Sequence, residues 1–275
     1  MLIKQSIDLK PLMFLTILLG LLGCGEPQIS ELSEPFPAFR SGPYGMEFSF
    51  IPRGHFRMGS PESEEGRSDD ENLHWVELTT DYWVQRTEVT RGQWFAVMGY
   101  YPKVCGPVME RNNYPVTCVK RNEIENFIRK LNRLVKNEGY TYRLPTEAQW
   151  EYAARAYTET TYSVEGLLDS FAWYRNNSKN QLHPVAQLKA NNFGLYDVHG
   201  NVSEWVSDGH GEYPESEFYE DAVKDPKGSE YSKWGIVRGG ARYHNELGCR
   251  LARRDEFLLS AKDSNFGFRL LRTAL

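Results

Sequence analysis

Cysteine is scarce in this sequence, four in 275 residues, and long apolar runs are missing altogether. The longest, Pro11 to Leu22, would rise only ~18 Å as a helix against a hydrocarbon core of roughly 30 Å, which excludes a permanent membrane span there. Basic residues form no stripe, and the formal charge is -5, so no general attraction to phosphate backbones is expected and nucleic acid is not a partner. The six histidines (55, 74, 183, 199, 210 and 244) form neither a His-Glu-x-x-His pair nor a three-His iron signature. A nucleophile elbow, a phosphate loop and a repeat of 20 to 50 residues are likewise missing. What is present is an ordinary globular balance, 40% hydrophobic and 25% charged, with seven Trp, sixteen Tyr and 23 Gly. Those residues favour strands, turns and aromatic packing over long helices, and the length suits one irregular domain behind a short targeting segment.

Lys4 and Lys10 precede the apolar run, which closes on Leu21-Leu22-Gly23-Cys24. A charged start, a short apolar core and this ending read as a signal peptide over 1–23. The ending resembles a bacterial lipobox, in which the Cys24 thiol receives diacylglycerol and becomes the first residue. An ordinary secretory signal with an incidental cysteine is the alternative. Residues 24–45 carry Pro, Ser and Glu with little periodicity and read as a tether. The folded domain is expected over 46–275.

Met46 to Ile51 alternates and is closed by Pro52 and Gly54, which predicts a strand, a turn and a second strand at His55 to Met58, together an opening hairpin. Ser60 to Asn72 reads as an acidic loop, and Trp75 to Val84 is strand-like. Thr90 as N-cap predicts a helix to Met98. Asn122 as N-cap predicts a second helix, with Ile124, Phe127, Ile128, Leu131 and Leu134 at helical spacing. Thr146 starts a third, with Trp150, Ala153 and Ala154 on one face. Beyond Arg155 periodicity fades into short strands and loops.

Six segments in order carry a family resemblance: Phe48 to Pro52 with Phe56 to Ser60, Thr87 to Thr90, Arg143 to Arg155 (RLPTEAQWEYAAR), Asn191 to Trp205 (NNFGLYDVHGNVSEW), Val237 to Tyr243 (VRGGARY) and Asn265 to Leu271 (NFGFRLL). Over about 46 to 272 the chain resembles the sulfatase-modifying-factor family of formylglycine-generating enzymes. The resemblance implies an α+β class, the irregular formylglycine-generating-enzyme fold, a C-type-lectin-like variant rich in loops with short strands and about three short helices. It also implies a calcium ion held by carboxylates of Asp197 and Glu204 and carbonyls of Gly200 and Val202, a hard-oxygen set of the kind Ca²⁺ prefers. A solvated pair, Asp197 capping a turn and Glu204 on the surface, is the alternative.

Enzymes of the family hold copper(I) with two thiols just after a Gly-Gly-Ser turn and oxidise a substrate cysteine with oxygen. Here Ala241 stands for that Ser, His244 for the first thiol, and Ser203 for a Trp that lines the family pocket. Cys249 falls at the second thiol's distance counted from Gly239-Gly240. Counted back from Arg250 to Arg254, the loop is about three residues shorter than in the enzymes, and Cys249 takes a structural place. A copper site of His244 and Cys249 is one reading, a buried thiol and a surface imidazole the other. Cys105, Cys118 and Cys249 permit three disulfide pairings, of which Cys105 with Cys118, closing a Pro- and Gly-containing loop in an exported chain, is preferred. Two functions remain open. One is a lipid-anchored module at the cell envelope, on the periplasmic or outer-membrane face, that binds a protein, peptide or glycan. The other is a copper-dependent oxidase turning a target cysteine, of sulfatase type, into formylglycine.

Overall fold

The computed structural model describes residues 39–275 except 104, 106–110, 165, 214, 215 and 230. The signal peptide, Cys24 and the start of the tether lie outside the described residues. Short strands and three α-helices build three sheets. The largest takes β1 (Phe39–Ser41), β2 (Glu47–Ile51), β5 (Tyr82–Gln85), β12 (Leu271–Ala274) and β6 (Tyr140–Arg143) in that spatial order. The second runs β10 (Arg254–Leu258), β9 (Trp234–Arg238), β7 (Ser203–Gly209), β11 (Phe266–Gly267), and the third β3 (Gly54–Met58), β4 (His74–Leu78), β8 (Val223–Lys224). The α+β class and the irregular architecture agree with the reading of the sequence.

Several local expectations need correction. Strands β2 and β3 follow each other but do not pair: β2 lies between β1 and β5, whereas β3 pairs with β4. Sequence alternation carries no information on which strand lies alongside, so two sheets produce the same pattern as a hairpin, and β2 buries residues of both faces while β3 buries one. Ordered structure also begins before Met46, because Phe39–Ser41 pairs with β2. That strand is three residues long and exposed throughout, so it leaves no apolar alternation to find.

Helix α1 (Arg91–Met98) starts from Thr90, whose Oγ1 accepts from Gln93 N while Gln93 Oε1 accepts from Thr90 N, a capping box. Helix α2 (Arg121–Leu134) starts one residue before the expected Asn122 cap, and the Glu123 carboxylate accepts from Lys120 N at 2.8 Å. Of its expected face, Ile124, Phe127 and Leu131 are buried and Ile128 half-buried, whereas Leu134, in the last turn, is exposed. Phe127 stacks on Trp94 at 5.2 Å and meets Phe268 edge-on at 5.6 Å, rings worth roughly 1.5–3 kcal/mol each in burial. Helix α3 (Glu147–Arg155) has the Thr146 capping box, but all nine of its residues are buried, so its environment is interior on every side.

Burial of a helix carrying Glu147, Glu151 and Arg155 requires partners for each charge. Glu147 accepts from Arg254 Nε at 2.8 Å and Nη2 at 3.0 Å. Glu151 accepts from Arg155 and Arg238 and from Gly59 N at 2.9 Å. Arg250 reaches the acidic loop, bonding Glu71 Oε1 at 2.7 Å and Glu64 Oε1 at 2.6 Å, which pins that loop against the domain. Cys105 and Cys118 are joined, with Cα atoms 5.6 Å apart, leaving Cys249 as the free thiol among the described residues. No helix among those residues is long and apolar enough to cross a membrane.

Candidate functional site

The segment that follows β9 makes a turn that glycine alone suits. Gly239 and Gly240 have φ of 88° and 71°, and a Cβ on Gly240 would lie 2.4 Å from Gly248 O and 2.9 Å from Cys249 Sγ. Gly239 rests on Trp150 of α3, where a Cβ would meet the ring at 3.0 Å. Arg238, at the end of β9, is fixed by Glu151 and Glu147 of the same helix, with its guanidinium 5.3 Å from the Trp150 ring. The RLPTEAQWEYAAR segment therefore acts here as the support under the Gly-Gly turn.

Beyond the turn, Ala241 N donates to His244 Nδ1 at 2.9 Å, and His244 N donates to Ala241 O at 2.9 Å. The imidazole is folded onto its own turn, and burial lowers its pKa. Asn245 then caps a short 3-10 turn by accepting from Gly248 N at 3.1 Å. That turn delivers Cys249 into an apolar cluster with Leu168, Ala172 and Tyr174. Burial, helped by Asp255 and Glu246, pushes its thiol up to about 12, so it stays protonated at neutral pH. A nucleophile or copper ligand needs the thiolate. One thiol enclosed by apolar side chains, and an imidazole whose Nδ1 is already engaged, do not match the two-thiolate donor set of copper(I). Ser203 begins β7 as a buried residue whose hydroxyl has no hydrogen-bond partner among the described residues.

His199 is a site neighbour that spacing did not single out. It is buried, its Nδ1 donates to Cys249 O at 3.0 Å, and Nε2 accepts from Ser163 N at 3.2 Å. Burial lowers its pKa to about 4, which keeps it neutral and lets both nitrogens serve as structural contacts.

The residues expected to hold calcium are drawn into a different arrangement. Glu204 is buried and matched to Arg269, Oε1 to Nη2 and Oε2 to Nε, both at 2.6 Å, and Oε2 also accepts from Trp150 Nε1 at 2.8 Å. Gly200 lies against the Trp173 backbone, where a Cβ would come within 2.3 Å of Trp173 O. Asp197 accepts from Ala186 N at 2.8 Å through one oxygen, while Oδ1 has no donor. The carboxylate that meets Asp197 side chain to side chain is Glu88, whose Oε1 accepts from Asn201 Nδ2 at 3.0 Å and whose Oε2 has no donor. Asp197, Gly200, Val202 and Glu204 therefore do not fit a calcium cage: one of its two carboxylates is spent on a guanidinium that would repel the cation. Burial first, and then the charges of Asp197 and Glu204, raise Glu88 well above the usual carboxylate range, while burial and Glu204 raise Asp197 to about 6 against the opposing hydrogen bonds of Ala186 N and Glu88 and the charge of Arg269. One proton held on the coupled Glu88–Asp197 pair would serve both carboxyls. Glu88 lies in the Thr87-Glu88-Val89-Thr90 segment of the resemblance, but no spacing rule connects it with a residue more than a hundred positions away.

Comparison with known proteins agrees with this architecture. The family model described as sulfatase-modifying factor enzyme 1-like domain matches residues 36–274. A protein of Paenibacillus barcinonensis named chaperone protein LppX is 27% identical over 240 residues, covering 70% of this chain and 81% of its own. A formylglycine-generating enzyme of Streptomyces coelicolor is 29% identical over 182 residues, 60% of this chain and 54% of the enzyme. The chain spans 41% of another relative, the serine/threonine-protein kinase pkn1 of Chlamydia caviae, at 27% identity over 89% of this chain. Among solved structures, Treponema denticola variable protein 1 superposes with a TM-score of 0.74 at 25% identity, covering 86% of this chain and 99% of that one. With nearly its whole described length matched, the chain belongs to the sulfatase-modifying factor enzyme 1-like family.

Proposed function

We propose that this chain is an exported lipoprotein, anchored through Cys24, whose formylglycine-generating-enzyme-like domain is a binding module for a protein, peptide or glycan at the cell envelope. The observation that carries the non-oxidase part is the place of Cys249, a thiol buried in an apolar cluster with no second thiol beside it in sequence. A relative named as a chaperone supports engagement of another polypeptide. The match to part of a kinase supports use of the domain as an appended module.

The test of chemistry compares wild type with Cys249→Ser. Both are loaded with copper and given oxygen, a reductant and a cysteine-containing sulfatase-motif peptide, and formylglycine is read by mass. Neither protein is expected to react while both remain folded. Formylglycine from wild type and none from the variant would establish the oxidase instead. For the anchor, Cys24→Ser should move the protein from membranes to the soluble exported fraction, since a lipid chain contributes roughly 0.8 kcal/mol per buried methylene. A variant still fully membrane-bound would remove the lipid anchor.

A further inference from the structure

Away from the Gly-Gly turn, a cleft of about 830 Å³ opens where the three sheets meet α2, within the size range of ligand sites. Its walls come from β4 and the residues after it, α2, the β6-to-α3 connection, the end of β7 and the segment after β8. Four basic and three acidic side chains line it, in a protein whose overall charge is negative.

Each of the three acids has a named neighbour. Asp225 accepts from Thr79 N at 3.0 Å and Oγ1 at 2.5 Å. Asp208 accepts from Glu147 N at 2.8 Å and Ser207 Oγ at 2.9 Å, and Glu125 lies 3.4 Å from Arg121 Nε. Arg121 is also committed to the carbonyls of Val206 and Ser207. The other three cations differ. Arg143 is half-buried, and its Nη1 donates to Leu144 O at 2.9 Å and Gln149 Oε1 at 2.8 Å; Asp208 and Asp225 act on its charge from a distance, but among the described residues neither forms a salt bridge with it. Arg129 bonds the neutral Asn126, and both Arg129 and Lys227 are exposed at the mouth. A guanidinium whose direct hydrogen-bond acceptors are neutral leaves its other N–H groups to be completed by an oxyanion, which its planar fork suits.

The remaining lining favours one class of ligand. Leu78, Ile128, Leu144 and Leu259 supply aliphatic wall, and no aromatic ring is among the described lining residues. A stacked sugar ring or base would lack a platform there, whereas aliphatic side chains would not. We infer that this cleft is a binding site for a peptide segment that presents a carboxylate beside aliphatic side chains, with Arg143 taking the carboxylate and Arg129 and Lys227 guiding it in. The inference rests on the binding-module reading for the class of partner, and it adds the site and the chemistry of recognition.

Calorimetric titration of the exported domain with acetyl-Leu-Glu-Leu-Glu-amide, its Leu-Gln-Leu-Gln counterpart and inorganic phosphate tests it. The glutamate peptide should bind and the glutamine peptide should not. The double variant Arg129→Ala with Lys227→Ala touches only exposed groups, so it should stay folded and weaken binding about three- to tenfold, with most of the loss in low salt. Arg143→Lys keeps the charge but loses the fork, and should weaken binding further. Absence of peptide binding, equal affinity for both peptides, phosphate binding with the glutamate peptide silent, or affinity unchanged in both variants would each overturn the assignment. None of these outcomes depends on formylglycine formation, so failure here is distinguishable from failure of the non-oxidase reading.

Discussion

Two buried acid clusters lie on opposite electrostatic sides of the same domain. Under the Gly-Gly turn, Glu147 and Glu151 of α3 face Arg155, Arg238 and Arg254, so guanidinium outnumbers carboxylate. Burial pushes Glu147 up, but Arg254 and Arg238 outweigh it and hold the group below its ordinary value. Around Arg269 the balance reverses, with Glu204, Glu88 and Asp197 sharing a single guanidinium, and Glu88 and Asp197 are pushed up. Buried carboxylates alone therefore predict neither stabilisation nor a metal. The count of cations within reach decides whether a cluster holds charge or protons.

The largest effect should come from breaking the matched cluster. Arg238→Met leaves Glu151 with one arginine instead of two and removes the cation above Trp150. Removing one of two partners of a buried carboxylate, together with a fully buried guanidinium, should cost about 3 kcal/mol, at the low end for a broken buried pair because Arg155 remains, read as a fall in the urea midpoint at constant slope. A loss below about 1 kcal/mol would mean that Arg155 alone satisfies Glu151 and that the two clusters do not differ as argued.

An intermediate effect belongs to the unmatched cluster and to pH. The folded pKa of Asp197, about 6, exceeds the ordinary 3.8, so the folded state binds the extra proton and Asp197 disfavours folding above pH 6. This penalty is relieved as pH falls through 6 and is gone below about 4. His199 works oppositely in the same window: held near 4, it costs stability as pH falls from 6.5. Comparison of wild type with Asp197→Asn isolates the carboxyl. An Asn oxygen can still accept from Ala186 N, so the variant should be about 1–3 kcal/mol more stable than wild type at pH 8, with the gap closing by pH 4. A gap that does not change with pH would remove the shared-proton account.

The difference in legibility between the two clusters follows from how each is built. Helix α3 was marked by Thr146 and the apolar spacing of Trp150, Ala153 and Ala154, because caps and periodicity are local properties. Its full burial is not legible locally, since that depends on Arg238 and Arg254 arriving from strands about a hundred residues later. Glu204 and Asp197 were found through the family pattern, but Arg269, which takes Glu204, and Glu88, which meets Asp197, are distant in the chain. The failed β2–β3 hairpin has the same origin, since pairing is non-local. The position of Cys249 was visible as an ambiguity of counting, and only the apolar cluster around it shows what its thiol experiences.

The smallest expected effect concerns calcium, and it separates a proton-sharing pair from a cation site. A cation held only by the folded state at a hundredfold excess over its Kd adds ~2.7 kcal/mol, enough to move a melting temperature by several degrees. With Glu204 bound through both oxygens to Arg269, Asp197 and Glu88 are the carboxylates left in that cluster for calcium to approach, and Arg269 opposes it. Calcium and chelator should therefore leave the melting temperature of wild type unchanged at pH 7.5. If calcium stabilises wild type and the effect vanishes in both Asp197→Asn and Glu88→Gln, the cation does replace the proton and the fit argued from Glu204 is wrong. If the effect persists in both variants, calcium acts elsewhere and the proton-sharing pair stands. Raising the pH to 8.5 sharpens the contrast, because both carboxyls are then driven toward charge. Any latent affinity for a cation should be strongest there, and a flat response at that pH is the more demanding result.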